Sequence, residues 1–159
     1  MKLKFIKRDD FINYKKCSMF LGVVSCDWKC CKENNIPCSL CQNYSWSNNT
    51  IKEINNKDII ELYLEDSLEE ALVFGGLEPL LQFDELISFI KDFRKISNDD
   101  IVIYTGYYPC EIEKEIEELK KFSNIIIKFG RYIPNKKNKY DKILGVTLAS
   151  DNQYAEKIS

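Results

Sequence analysis

Five of the seven cysteines fall in one stretch, SCDWKCCKENNIPCSLCQN, at positions 26, 30, 31, 38 and 41. Thiolates are soft ligands that select zinc or iron-sulfur clusters, and tetrahedral sites of either kind usually take four protein ligands. The spacings are Cys26-x3-Cys30, an adjacent Cys31, and Cys38-x2-Cys41. One of Cys30 and Cys31 together with Cys26, Cys38 and Cys41 makes a four-thiolate zinc site, the first reading of the cysteines alone. Neighbouring loop residues rarely point at one small cluster, so one of the adjacent pair is spare. The lysines, asparagines and proline between these cysteines argue against plain buried hydrophobes. Cys17 and Cys110 lie on or near apolar strand ends and read as structural.

Composition narrows the setting. The 159 residues are one domain's worth, and a 45% hydrophobic content fills a single core. A formal net charge of −2 leaves no global basic field to attract nucleic acid or an anionic membrane. No apolar run reaches membrane-spanning length, and the start MKLKFIKRDDFINYKK has no apolar stretch followed by a small-residue cleavage site. The expected location is the cytoplasm, where clustered thiols stay reduced and serve metals or redox chemistry rather than disulfides.

The elements that must position the thiols alternate. MFLGVV (19–24) reads as a buried strand running into the cysteines. NKDIIELYLED (56–66) reads as a helix with Asp58 near its start and Ile59, Ile60, Tyr63 and Leu64 apolar, and EEALVFGG as a strand ended by two glycines. Asp84 is a candidate cap for a helix presenting Leu86, Ile87, Ile90 and Phe93, and DIVIYTG (100–106) returns as a strand. Ile112, Ile116 and Leu119 share a helix face whose glutamates are solvated, NIIIKFG is a further strand, and the basic RYIPNKKNKYDK (131–142) reads as a solvated loop. Such alternation predicts one α/β domain over 1–159, with core 17–154, a cysteine loop 26–43 and a mostly parallel sheet. Sheets of this kind place ligand sites outside the C-terminal strand ends.

The segment ALVFGGLEPLLQFDELISFIKDFRK resembles the Gly-Gly-Glu-Pro segment of radical S-adenosylmethionine (radical SAM) enzymes, with one extra leucine in GGLEP. That family carries a C-x3-C-x2-C loop after its first strand. Its three cysteines bind a 4Fe-4S cluster and leave one iron open for the amino and carboxylate groups of SAM. IVIYTGYY, IIIKFGRYI, GVTLASDNQ and the Cys-Gln-Asn at 41–43 are similar to segments of one branch, the activating proteins of anaerobic ribonucleoside-triphosphate reductase. The residue before the later glycine, often acidic in that branch, is a phenylalanine here.

The resemblance implies a partial (βα) barrel that cleaves SAM reductively and generates a glycyl radical on an anaerobic ribonucleotide reductase. A low-potential donor such as flavodoxin or ferredoxin would supply the electron. It implies Cys26, Cys30 and Cys41 as cluster ligands in a C-x3-C-x10-C loop, eight residues longer than the family's, with Cys31 or Cys38 as packing residues or replacement ligands. By the same resemblance the backbone of Leu40 contacts adenine. Gly75-Gly76 with Glu78 hold the methionine amino group, glycine letting the backbone approach a ligand closely. Thr105 offers a hydroxyl to the ribose or carboxylate. The alternatives are a radical SAM enzyme with another substrate and a non-catalytic zinc-binding interaction domain.

Overall fold

Four short apolar strands supply the centre of the computed structural model, which describes residues 1–65 and 68–159. In chain order the strands are β1 (Lys2–Leu3), β2 (Phe5–Asp10), β3 (Ser18–Gly22), β4 (Lys52–Glu53), β5 (Ala71–Gly75), β6 (Asp100–Tyr104), β7 (Ile125–Phe129), β8 (Lys139–Asp141), β9 (Val146–Leu148) and β10 (Tyr154–Lys157). The α-helices are α1 (Lys29–Glu33), α2 (Asn56–Leu64), α3 (Phe83–Phe93) and α4 (Glu113–Leu119). The main sheet has the order β10-β7-β6-β5-β3-β2. Its four inner strands are parallel, as the alternation of strand and helix predicts. Each edge strand is antiparallel, so the sheet is mixed rather than mostly parallel. Two small ladders, β1 with β4 and β8 with β9, lie beside it.

The two-residue strand period divides the core. Met19, Leu21, Leu72, Phe74, Ile101, Ile103, Ile125, Ile127 and Phe129 pack under the helices, against Ile59, Ile60 and Tyr63 of α2 and Leu86, Phe89, Ile90 and Phe93 of α3. Their neighbours Phe20, Ala71, Val73, Val102 and Ile126 face the other way and pack with Tyr14, Leu144 and Leu148. No helix among the described residues is long and apolar enough to cross a membrane.

Several local expectations shift. The last residue of the predicted α2 segment, Asp66, lies outside the described residues, and Leu64 is 52% exposed because it falls off the buried stripe. On α3 it is Phe89, not Ile87, that completes the buried face. Asp84 sits in the first turn of α3 and does not cap it. The basic segment 131–142 is not merely a solvated loop: it begins at buried Arg131 and ends in β8. There Asp141 accepts backbone N–H groups from Ile143, Leu144 and Ala155, each at 2.9 Å.

Phe89 is fully buried, with ring centroids 5.5 Å from Phe74 and 6.2 Å from Phe93. Phe89→Ala should lower unfolding stability by about 3–5 kcal/mol in chemical denaturation, since it removes packed area and leaves a cavity.

Candidate metal centre

The cysteine loop leaves the C-terminal end of β3 and is tied down at once. Val23 N–H donates to the Gly75 carbonyl at 3.0 Å, and Val24 N–H to Oε1 of Gln82 at 3.0 Å. Trp28 then takes a left-handed conformation, φ 59°, unusual for a bulky residue, and its N–H points at the Cys26 sulfur at 3.3 Å. This reversal starts the five-residue α1, which carries Cys30 and Cys31. A 3-10 turn at Cys38–Leu40 brings in Cys41, whose N–H donates to the Cys38 carbonyl at 2.9 Å. The far end of the loop is held by Lys4, whose ammonium donates to the carbonyls of Ser47 (2.9 Å) and Asn49 (2.6 Å).

Charge fastens the near end to the next strands. The Tyr107 hydroxyl donates to Asp27 at 2.8 Å. Arg131, 3% exposed, donates from Nη1 and Nη2 to Glu111 at 2.7 and 2.6 Å and from Nη2 to Glu33 of α1 at 2.8 Å. Lys29 also pairs with Glu111. The hydrogen bonds from Arg131 hold the Glu111 carboxyl well below its ordinary value.

Between loop and strand ends lies a cavity of about 160 Å³. Cys26, Cys30, Cys31 and Cys41 line it, together with Gly76, Leu77, Glu78 and Thr105 and with Trp28, Trp46, Lys128 and Gln153. Among the described residues, no three His, Cys, Asp or Glu side chains gather tightly enough to hold a single metal ion. A larger groove on the helical side, lined by Phe83, Ile87, Lys91 and Phe122, contains no cysteine.

Burial penalises the charged thiolate and keeps these thiols protonated. Desolvation pushes the Cys26 thiol up to about 12 and Cys31 to about 11. It also raises Cys30, where the Tyr132 N–H and the charges of Lys128 and Arg131 act the other way. Metal binding at such thiols must displace protons, so it couples to pH.

The structure brings most of the predicted site residues together. Glu78, 5% exposed, accepts from the Thr105 hydroxyl at 2.9 Å, Gly106 N–H at 2.8 Å and Leu80 N–H at 3.2 Å. Burial pushes its carboxyl up to about 7. Gly76 has φ 85°, and a Cβ there would sit 3.1 Å from the Trp46 ring, so the position needs glycine for both backbone and space. Gly75 adjoins the wall, its carbonyl accepting from Val23. Leu40 lies off the cavity wall with 60% exposure, and Cys38 is also off it. Cys17 is buried near Asp9, whereas Cys110 is exposed.

Sequence reasoning missed Lys128, Gln153, Trp28, Trp46 and the Arg131 clamp. A lysine inside the apolar run IIIKF was the one visible signal, because an ammonium is rarely placed in a buried strand without a partner.

A family model described as a 4Fe-4S single cluster domain matches residues 16–154. The chain belongs to that family. Neither a curated protein nor a solved structure matches it significantly. The residues fit the family's cluster: four soft thiol donors line one cavity, and the loop bearing them is anchored at both ends.

Because Glu111 ionises more readily in the folded chain, its ion pairs stabilise the fold above its ordinary value of 4.5 and are lost as the pH falls below it. Glu111→Gln should therefore cost about 2 kcal/mol at pH 7. In chemical denaturation the difference between parent and variant should shrink steadily below about pH 4.5.

Proposed function

We propose that this chain is a radical SAM enzyme in which Cys26, Cys30 and Cys41 hold the 4Fe-4S cluster. The observation that carries the reading is the meeting, around one cavity in a 4Fe-4S family chain, of these three thiols with the GGLEP turn. When bound, the cluster would pass an electron to SAM, yielding methionine and a 5'-deoxyadenosyl radical. The reading takes the four parallel strands as the wall of a partial (βα) barrel.

The chain's own residues bind, orient and exclude water. The tight turn at Gly76 offers backbone at a point where a side chain would block a ligand. Glu78 ties the ends of β5 and β6 together through Thr105 and Gly106, so that the turn is fixed before a ligand enters. Its carboxylate is also the acidic group beside which a ligand ammonium would rest. Trp28 and Trp46 wall the cavity against solvent.

In this reading the substrate is a glycine of an anaerobic ribonucleoside-triphosphate reductase, and the electron comes from flavodoxin or ferredoxin.

Anaerobically reconstituted protein should hold about four irons per chain, as one such cluster requires. Cys26→Ser, Cys30→Ser and Cys41→Ser should each lose the cluster, while Cys17→Ser and Cys110→Ser keep it. Stoichiometric zinc without labile sulfide would instead establish the zinc module. Reduced parent protein should release 5'-deoxyadenosine from SAM, read by chromatography, and give a glycine-centred doublet in electron paramagnetic resonance when mixed with the reductase. Cleavage without the doublet would keep the enzyme class and remove the activator assignment.

A further inference from the structure

Lys128 is the fourth residue of β7, and the strand period turns it away from the helices, toward the cavity at the C-terminal end of the sheet. It is 6% exposed. Its ammonium donates to the Gly130 carbonyl at 2.9 Å and lies 5.9 Å from the centroid of the Tyr104 ring. No ion pair to a carboxylate holds it among the described residues. Arg131, three residues on, is by contrast neutralised by Glu33 and Glu111. A buried ammonium with one carbonyl partner is expensive unless a negative group shares its surroundings.

Such groups lie in the same cavity. Lys128 lines it together with Cys30, Cys41 and Glu78. Within it thiol and carboxylate are close: a Cβ on Gly106 would lie 3.1 Å from the Cys30 sulfur and 3.6 Å from Oε2 of Glu78, so the two flank one glycine. The segment 128–132 thus brings a buried ammonium, the Gly130 backbone and Tyr132 to the cavity that Cys30 lines.

We infer that Lys128 is the counter-charge of the iron-sulfur cluster, stabilising its Cys30-ligated side and raising its reduction potential. The inference rests on the cluster part of the proposed function and not on SAM cleavage. Reduction adds negative charge to a thiolate-ligated cluster, and a cation fixed in a low-dielectric wall favours that form. Net charge and hydrogen bonds at the sulfurs are what set such potentials. Lys128 thereby determines how strong a reductant the electron donor must be. It acts through Cys30 as a positioning residue.

The test reconstitutes parent, Lys128→Met and Lys128→Arg anaerobically, measures iron and sulfide, and follows a redox titration by the paramagnetic signal of the reduced cluster. Lys128→Met should assemble the cluster with a midpoint clearly more negative than the parent's, and Lys128→Arg should restore it. A Met variant with full iron and an unshifted midpoint overturns the inference. If the Met variant takes up no iron while the Arg variant does, the charge itself is what the cluster requires, and the inference stands. If both variants lose the cluster, Lys128 is a packing residue and the inference fails. A parent that takes up no iron brings down the cluster reading and this inference with it. A shifted midpoint in protein that does not cleave SAM would leave the counter-charge in place and remove the radical SAM assignment.

Discussion

The buried guanidinium of Arg131 joins three parts of the chain that are remote in sequence. Through Glu33 it holds α1, and so Cys30 and Cys31, and through Glu111 it holds the turn after β6. Without it, the near half of the cysteine loop would rest on Asp27, Lys29 and a few backbone bonds. An ion pair with one buried partner is costly to break, because the remaining charge is left without solvent. Thiols that must present themselves to a metal together require a loop with little freedom of its own, and the clamp supplies that restraint before any ligand arrives.

The sheet is asymmetric for the same purpose. One face is apolar and buried under helices, which gives the four inner strands a rigid backing. The other face carries glycine or polar side chains toward its C-terminal end, where Gly22, Gly75, Tyr104 and Lys128 follow the apolar Phe20, Val73, Val102 and Ile126. Polar atoms there are matched with care. Glu78 receives three hydrogen bonds, and Gln153 spans from the Gly130 carbonyl to the Ser150 N–H. Satisfied groups of this kind hold a cavity open at a place where apolar side chains would fill it.

Much of this was legible in the residues, and the exceptions have physical causes. β3, β5, β6 and β7 are mostly apolar runs, interrupted in β7 by Lys128, which is how strands buried on both faces appear. The edge strands β2, FIKRDD, and β10, YAEK, are charged because edges face water, and a periodicity argument passes over them. Those two strands turn a parallel prediction into a mixed sheet. At the site, thiol chemistry and the paired glycines announce themselves by residue type. Arg131 does not, since its partners lie 20 and 98 residues away and it opens a basic stretch that looks solvated. Lys128 is hidden by its strand for a related reason: its role depends on which neighbours close the cavity, and only the packed fold decides that.

The two tryptophans of the chain, Trp28 and Trp46, both stand on the cavity wall and neither belongs to the sheet. Intrinsic tryptophan emission therefore originates beside the thiols. A fluorescence change on warming or on adding denaturant reports release of the cysteine loop, which can open by itself at lower free energy than the core. Far-ultraviolet circular dichroism follows the sheet and helices instead. The molecule thus carries its own pair of probes for separating local opening from global unfolding, with the optical signal placed where the metal would sit.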